Sequence, residues 1–379
     1  MTGPRPPVRV AVIGLGWAGR SIWLPRLAAH PDYLVTAVVD PSAATREAAV
    51  ASLPSATPLC EVDDLADAAA DLAVVAVPNH LHTSVATRLL RRGFSVFLEK
   101  PVCLSTREAG ELAEAERAGG AMLLAGSAAR YRRDVVALCA TSGSLGAIRH
   151  VDLSWIRARG VPDGVGWFTR RALSGGGASV DLGWHLLDMI EPLLGPVGIV
   201  QVAGAVSRDF VNDDASRAGW RRDAASGTTG DVEDTVRALL VTDTGVSVGL
   251  RAAWASHEPR DVTEIRVHGS AGNAVLRCTF GFSPNRLPAP VLTVRRHGVT
   301  ETVAVEPEPV GAEYEHQLAR LPELLADPAN RGRAISEAHR SVDVIERLYA
   351  SVPGLEPSSA PGTPGTPDRL PGARPVVRR

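Results

Sequence analysis

Short apolar runs rich in β-branched residues alternate with helical segments up to about residue 125 of the chain. The first run is Val8–Ile13, with the sequence VRVAVI, and a later one is Leu72–Val77. Continuous apolar runs, unlike strict alternation of apolar and polar positions, indicate strands that are covered on both faces. Alternation of such strands with helices predicts an α/β fold with a doubly wound parallel sheet of the Rossmann type.

The same pattern predicts the other elements of this sheet. Further strands are expected at Leu34–Val39, Ser95–Leu98 and Met122–Ala125. Helices are expected from the first glycine cluster to about His30, and at Ala43–Ala51, Asp63–Ala70, His82–Arg92 and Ser105–Ala118. Ser105 and Glu108 form a capping box, which marks the start of the last of these helices.

A glycine cluster directly follows the first strand and opens a helix, with the sequence GLGWAG at 14–19. In a GxGxxG loop at this place, the first glycine permits the tight turn and the second lets the backbone approach a pyrophosphate. The third lets the helix pack close to the strand, and the helix N-terminus favours the phosphate charge. We therefore expect Gly14, Gly16, Trp17, Ala18 and Gly19 to bind a dinucleotide.

Asp40 ends the second strand, where a carboxylate can bind the adenosine ribose hydroxyls. Because this charge would repel a 2′-phosphate, NAD is the expected cofactor and NADP is the less favoured alternative. Arg46 lies nearby in the sequence and could soften this preference.

Two later strands end in polar residues at the edge of the sheet where ligands bind in this architecture. Pro78 and Asn79 follow one strand, and Glu99 and Lys100 follow the next. We expect these four residues to contact the cofactor, together with His82, whose alternative role is helix capping. His80 and His82 are two residues apart, a spacing that converges poorly on a metal ion, so no metal site is expected here.

Lys100 is the one lysine among the 40 basic residues of the chain, and the other 39 are arginines. A coding bias toward arginine explains the general pattern, and the survival of one lysine by chance stays open. An arginine keeps its proton at any working pH, whereas the surroundings can tune a lysine amine. A position that retains lysine against such a bias is a candidate for chemistry.

The pattern changes after Arg130, where several runs alternate apolar and polar residues. Strands are expected at Ile148–Ile156, Ile199–Val206, Thr235–Val241, Val246–Ala253, Thr263–Val267, Ala274–Arg277 and Val291–Val294. Helices are expected at Val180–Leu194, Tyr314–Leu325 and Ile335–Ala350. Alternation is typical of a largely antiparallel sheet with one open or partner-covered face, so we predict a second domain of α+β type.

These patterns divide the 379 residues into three parts. An NAD(P)-binding domain is expected at 1–128, and a domain for substrate binding and oligomerisation at 129–352. The remainder, 353–379, is dense in Pro, Gly, Ser and Ala and is expected to be disordered.

Three consecutive glycines at 175–177 lead into a segment that carries Asp181 and His185, four residues apart. This spacing puts both side chains on one helical face, where a carboxylate can orient an imidazole that accepts a proton. Asp188 extends the stripe, so a metal site of Asp, His and Asp stays open, without support from a cysteine or a second histidine. A helix start with a structural histidine is the plainer alternative.

Together these residues resemble the glucose–fructose oxidoreductase and inositol dehydrogenase family, Gfo/Idh/MocA. The matching pieces are Gly14 to Gly19, Pro78-Asn79 with His82, Glu99-Lys100-Pro101, Arg130-Tyr131, Gly175 to His185, and Glu233-Asp234. The resemblance implies an N-terminal dinucleotide fold and a C-terminal domain with an open sheet. It also implies a homodimer or homotetramer built through that sheet.

The resemblance implies roles for individual residues as well. Lys100, Asp181 and His185 would form the catalytic group. The residues expected to bind substrate are these three together with Tyr131, Arg157 and Trp167. The chain departs from the family in two places: it has GSAARY at 126–131, where many members carry Gly-Phe before the Arg-aromatic pair, and Trp184 is bulkier than the usual residue. Substrate identity therefore does not transfer.

The expected reaction is NAD-dependent oxidation of a secondary hydroxyl of a sugar, an amino sugar of the aminoglycoside type, or a cyclitol. A biosynthetic ketoreductase and a non-catalytic dinucleotide sensor are the alternatives. Residues 207–235 contain seven carboxylates, which could attract a cationic amino sugar or form a solvated loop. Trp155, Trp167 and Trp254 could face a sugar ring or fill the core.

Composition narrows the other classes of function. A net charge of -2 gives no reason to expect nucleic acid or a membrane as partner, and no apolar run approaches the ~18 residues of a membrane helix. The N-terminal residues do not resemble a signal peptide, and the four cysteines form no CxxC pair. We expect a cytoplasmic protein without structural zinc or disulfides.

Overall fold

The computed structural model describes residues 6–162, 167–219 and 229–352, and within these ranges the chain forms two sheets. The segment 353–379, predicted to be disordered, lies outside the described residues. No helix within these ranges is long and apolar enough to span a membrane.

The first sheet has six parallel strands in the order β3-β2-β1-β4-β5-β6. The strands are β1 Val8–Ile13, β2 Tyr33–Val39, β3 Thr57–Leu59, β4 Leu72–Val75, β5 Ser95–Leu98 and β6 Leu123–Ala125. All four residues of β4 are fully buried, as the continuous apolar run requires. The predicted parallel α/β architecture is confirmed, although the short edge strand β3 was not expected.

Helices flank this sheet, and one expected helix is missing. A π-helical turn, Gly19–Trp23, runs into α1 Leu24–Ala29, and the others are α2 Ala43–Val50, α3 His82–Arg91 and α4 Thr106–Gly119. The prediction of a helix at Asp63–Ala70 is wrong: only a 3-10 turn, Val62–Asp64, forms there. Ala68 has a positive φ of 60°, and its carbonyl accepts a hydrogen bond from Arg9 instead of from a helical amide.

The second sheet has eight strands in the order β14-β13-β12-β11-β7-β10-β9-β8. They are β7 Ile148–Ile156, β8 Ile199–Ser207, β9 Thr235–Thr242, β10 Ser247–Ala253, β11 Val262–Gly269, β12 Gly272–Cys278, β13 Val291–Arg296 and β14 Val299–Val303. Every neighbouring pair is antiparallel except β7 and β10. The predicted open and largely antiparallel sheet is confirmed, with β14 and the helix α5, Arg133–Ser142, as additions.

The predicted helix Val180–Leu194 is broken into pieces. A short α6, Arg171–Ser174, precedes a π-helical turn, Ser179–Gly183, which is followed by α7 Trp184–Leu187 and α8 Ile190–Leu194. Pro192 has no N–H to bond the carbonyl of Asp188, four residues earlier. That carbonyl accepts a hydrogen bond from Arg130 instead, at 2.9 Å.

We call the first sheet with its helices the first part of the molecule, and the second sheet with its helices the second part. The last two helices, α9 Ala312–Ala326 and α10 Arg333–Ser351, connect these two parts. Leu318 and Leu321 of α9 lie in the same buried cluster as Trp23 and Phe97 of the first part. The helix thus packs on the first sheet although it follows the second sheet in sequence. The domain boundary at 128/129 therefore stays a proposal. It divides the chain in sequence, whereas α9, which follows it in sequence, packs on the first sheet.

We expect Leu318→Ala to lower the free energy of unfolding by about 2–5 kcal/mol, because Leu318 is fully buried against the first sheet. Leu34→Ala is the matched control, since Leu34 is 42% exposed, and it should cost less than about 1 kcal/mol. Urea titration measures both. Equal effects would contradict the assignment of α9 to the first core.

Candidate active site

The loop after β1 is shaped by close contacts that only glycine tolerates. Gly14 has a φ of +88°, and a Cβ placed on it would lie 2.7 Å from the carbonyl oxygen of Ala76. A Cβ on Gly19 would lie 2.1 Å from the carbonyl oxygen of Gly14. A Cβ on Gly16 would meet no atom within 4 Å, so this side of the loop opens to space that a pyrophosphate can fill. These residues fit a dinucleotide.

Asp40 binds the same loop from the end of β2. Its carboxylate accepts hydrogen bonds from the backbone amides of Leu15, at 2.8 Å, and Ser42, at 2.9 Å. Arg46 donates to the backbone carbonyl of Asp40, at 2.6 Å, and this bond does not involve the carboxylate. A carboxylate therefore stands where the adenosine ribose is expected.

Trp17 reaches the second part of the molecule from this loop. Its ring meets the edge of Phe282 at a centroid distance of 5.4 Å, and Phe282 stacks on Tyr314 of α9 at 5.6 Å. Tyr314 in turn contacts Trp23 at 5.4 Å. This row of aromatic rings lines the boundary between the two parts, and the sequence pattern alone did not indicate it.

Asn79 and His82 both bind backbone carbonyls. The Asn79 amide donates to the carbonyl of Ser174, at 2.9 Å, and so joins the first part to α6. The ring nitrogens of His82 lie 2.6 Å from the carbonyl oxygen of Pro101 and 2.9 Å from that of Val77. Complete burial lowers the pKa of His82 to about 4. The neutral ring carries a single N–H, so it donates a hydrogen bond to one of these two carbonyls and not to both.

The carboxylate of Glu99 is fully engaged by two donors. Trp23 Nε1 donates to Oε1 at 2.7 Å, and the backbone amide of Lys100 donates to Oε2 at 2.9 Å. Burial raises the pKa of Glu99. Glu99 thus anchors the end of β5, and the side chain of Lys100 extends to a different partner.

That partner is Asp181, in the second part of the molecule. Lys100 Nζ lies 2.6 Å from Asp181 Oδ1, and Trp254 Nε1 donates to Asp181 Oδ2 at 2.9 Å. Arg157 Nη1 lies 3.9 Å from the same Oδ2, and its guanidinium packs over the ring of Trp155. The structure thus brings two of the predicted site residues, Lys100 and Arg157, to the carboxylate of a third, Asp181.

His185 lies beside this group. Its Nδ1 is buried and has no hydrogen-bond partner within the described ranges, and its ring centroid is 5.6 Å from that of Trp155. Burial first, and then the charge of Lys100, lower the pKa of His185 to about 3, although Asp181 opposes this shift. The imidazole is therefore neutral at neutral pH.

Tyr131 faces a different set of charges. Burial raises the pKa of its hydroxyl, and the charged groups that act on it include Arg130 and Glu337. Arg130 forms ion pairs with Asp188, at 2.9 Å, and with Glu337, at 2.5 Å. Asp188 is thus paired with an arginine, and no group of three metal-binding side chains occurs among the residues that the structure describes.

The three tryptophans near the site differ in burial. Trp155 and Trp254 are core residues, at 4% and 0% exposed. Trp167 is half-buried and packs on Phe168, which contacts Trp254 at a centroid distance of 6.1 Å. Of the three, Trp167 is the one with an appreciable surface left for a ligand.

Within the acidic stretch at 207–235, Glu233 and Asp234 do not lie on a charged rim of the site. Glu233 and Asp234 are both fully buried. Glu233 Oε1 accepts from the amides of Gly177 and Ser179, at 3.0 and 2.9 Å, and Asp234 Oδ2 accepts from two other backbone amides. These two carboxylates are therefore not available to attract a cationic sugar. Asp223 lies outside the described residues.

The three glycines before Asp181 have separate reasons to be glycine. Gly175 has a φ of +82°. A Cβ on Gly176 would lie 1.9 Å from the hydroxyl oxygen of Tyr349, and one on Gly177 would lie 1.8 Å from the carbonyl oxygen of Glu233. Close approach to Glu233 and to α10 therefore fixes the loop that leads to Asp181.

Two family profiles match the chain. One, described as an oxidoreductase family with an NAD-binding Rossmann fold, matches residues 8–127, and the Gfo/Idh/MocA C-terminal domain matches residues 136–275. The chain belongs to the Gfo/Idh/MocA family. It is accordingly an NAD(P)-dependent oxidoreductase with an NAD-binding Rossmann domain.

Relatives within the family carry more specific names. A protein of Amycolatopsis mediterranei, with the provisional name UDP-kanosamine synthase oxidoreductase subunit, is 58% identical over 91% of this chain and 96% of its own length. A dTDP-3,4-didehydro-2,6-dideoxy-alpha-D-glucose 3-reductase of Streptomyces antibioticus is 27% identical over 92% and 98%. The crystal structure of GenD2 from gentamicin A biosynthesis in complex with NAD shares the fold, with a TM-score of 0.72, 23% identity and coverage of 93% and 97%.

We expect Asp40→Asn to weaken NAD binding about tenfold and to leave NADP binding unchanged or tighter, because the substitution removes the negative charge beside the ribose. Asp32→Asn, at the exposed opposite end of β2, is the control and should bind both cofactors as the wild type does. Calorimetric titration with each cofactor measures the ratio. An unchanged ratio in Asp40→Asn would exclude Asp40 as the discriminating residue.

Burial of His82 in the neutral form makes stability depend on pH. Its pKa of about 4 in the folded state lies below the ordinary value of 6.5, so the unfolded chain binds the extra proton between these values. The free energy of unfolding should fall as the pH drops from 6.5 to 4, and His82 should contribute at most about 1.4 kcal/mol per pH unit. His82→Asn should flatten this slope, whereas the exposed His339→Asn should not; equal slopes would count against the assignment.

Proposed function

We propose that the protein oxidises a secondary hydroxyl of a nucleotide-activated sugar or amino sugar with NAD. The observation that carries this proposal is the contact of 2.6 Å between Lys100 Nζ and Asp181 Oδ1, beside the neutral ring of His185. The name of the 58% identical relative, an oxidoreductase subunit of a UDP-kanosamine synthase, supports a sugar joined to UDP. A cyclitol lacks the nucleotide and is less favoured.

The dinucleotide, bound along the loop that contains Gly14, Gly16 and Gly19, supplies the hydride acceptor. Lys100 donates a hydrogen bond to the hydroxyl oxygen of the substrate and stabilises the negative charge that develops on it. His185 accepts the hydroxyl proton, and the developing charge beside the ring favours its protonated form. Asp181 holds the ammonium of Lys100 in place through the contact of 2.6 Å.

The neighbouring residues would hold the sugar. Arg157 lies at the same carboxylate and can donate to a substrate hydroxyl, and the half-buried Trp167 can cover an apolar sugar face. Tyr131, which faces Arg130 and Glu337, is the weakest of the proposed substrate contacts. We further propose a homodimer or homotetramer formed through the open face of the second sheet, where Leu239 is 51% exposed, and a cytoplasmic location.

Reduction of a keto sugar is the second candidate. The relative named as a 3-reductase of a dTDP-linked keto sugar, similar along 98% of its own length, favours it. The same residues would act in reverse, with the protonated His185 and Lys100 delivering a proton to the oxygen. A dinucleotide sensor without turnover is disfavoured because Lys100, Asp181 and His185 are all present.

Absorbance of NADH distinguishes these functions. The purified protein is mixed with NAD and a panel of UDP-linked hexoses, free amino sugars and inositol, and in a second series with NADH and UDP- or dTDP-linked keto sugars. We expect NADH to form with a UDP-linked hexose. Consumption of NADH in the second series alone would establish the reductase, and no signal with any compound despite NAD binding would overturn both.

We expect Lys100→Arg to reduce turnover at least ~10²-fold while NAD affinity changes little, because a guanidinium cannot place a single ammonium donor at the reacting oxygen. Arg91→Lys exchanges the same two residue types at an exposed site of α3 and should leave turnover unchanged. Near-normal turnover of Lys100→Arg would remove Lys100 from the mechanism.

A further inference from the structure

A cavity of about 300 Å³ lies behind the segment that carries the site residues. Its wall contains Val180 and Trp184, which directly precede Asp181 and His185 in the sequence, and Leu104, which follows the Lys100-Pro101 pair. Val342 and Ile345 of α10 form much of the opposite wall. The lining is predominantly apolar, and the volume is within the range that small ligands occupy.

One cation in this lining has unused donors. The guanidinium of Arg171 lies over the ring of Tyr349, with its Cζ 4.0 Å from the centroid. Its Nε and Nη1 are buried and have no hydrogen-bond partner in the described part of the chain. Leaving such donors without an acceptor in an apolar surrounding costs free energy, which an anion in the cavity would recover.

The other charged residues of the cavity are already engaged. Glu346 accepts a hydrogen bond from the backbone amide of Thr106, at 3.2 Å, and Arg347 donates to the carbonyl of Ile199, at 2.6 Å, and to Asp343, at 3.1 Å. Arg171 therefore provides one positive charge, with the negative Glu346 nearby. This balance suits a monoanion and disfavours a phosphate dianion.

We propose that this cavity is a second binding site, for a small carboxylate with an apolar ring or branched chain. The carboxylate binds the free donors of Arg171, and the apolar body packs between Trp184 and the α10 residues Val342 and Ile345. The departure of Trp184 from the smaller family residue gives this wall a large apolar surface. The site is separate from the proposed substrate site, and its test does not depend on the reaction.

The ligand would contact residues that position the proposed active site. Tyr349, under the guanidinium of Arg171, donates its hydroxyl hydrogen bond to Glu233 Oε1 at 2.9 Å. The same oxygen accepts from the amides of Gly177 and Ser179, at the start of the segment that carries Asp181. The hydrogen bonds at Glu233 thus connect the cavity wall to the backbone that places Asp181, so turnover should respond to the ligand.

Benzoate and cyclohexanecarboxylate serve as probes, with benzamide as the neutral analogue and acetate and inorganic phosphate as anions without an apolar body. Calorimetric titration of the full chain, in the absence of cofactor, measures binding. We expect both ring carboxylates to bind at least tenfold more tightly than benzamide, acetate or phosphate. Arg171→Gln should weaken benzoate at least tenfold, whereas Arg91→Gln, at an exposed arginine, should not.

Filling the cavity gives an independent check that keeps the charge. Ile345→Phe should abolish binding of the ring carboxylates, and Val342→Leu is the smaller alternative if the first variant does not fold by circular dichroism. Absence of carboxylate binding to the wild type would overturn the proposal. Binding that persists in Arg171→Gln or in the folded filling variant, or equal binding of benzamide or phosphate, would overturn it as well.

Discussion

The geometry of the candidate site depends on the ion pair between Lys100 and Asp181. The pair joins the end of a parallel strand in the first part to a helical turn in the second, and the two side chains are 19% and 8% exposed. A pair removed from water to this degree contributes little net stability unless its remaining hydrogen-bonding capacity is satisfied. Trp254 meets part of this need at Asp181 Oδ2, which shows that the surroundings are built around the pair.

Each partner of the pair is held from behind by a buried polar side chain. On the lysine side, His82 and Glu99 bind the backbone on either side of Lys100. On the aspartate side, Glu233 accepts two amides from the turn that precedes Asp181. These buried groups fix the backbone from which the side chains of Lys100 and Asp181 extend, and the ion pair then fixes the ammonium itself.

The sequence predicts those parts of the fold that local patterns determine. Val8–Ile13, Ser95–Leu98 and Ile148–Ile156 have the predicted bounds because apolar runs and alternation directly reflect burial of one face or two. The false helix at 63–70 reflects a distant contact, since Arg9 binds the carbonyl of Ala68. The break in the helix predicted at 180–194 follows from Pro192, which the sequence does show and which leaves the carbonyl of Asp188 to Arg130. Local spacing does not reveal contacts between residues that are far apart in sequence. The bond from Trp23 to Glu99, 76 residues away, is one such contact that could not be predicted.

The charges around Asp181 act both on the ring of His185 and on any oxygen that binds beside it. Arg157 and Lys100 both approach one carboxylate, at 3.9 and 2.6 Å, so the group carries one net positive charge when all three are ionised. Burial is the main cause that keeps the ring of His185 neutral, and this surplus adds to it. The surplus also favours an oxygen that becomes negative as a hydroxyl is oxidised or a carbonyl is reduced. In the proposed reaction, the two cations around Asp181 stabilise the oxygen as it becomes negative, and that negative charge offsets the surplus so that the proton can move to His185.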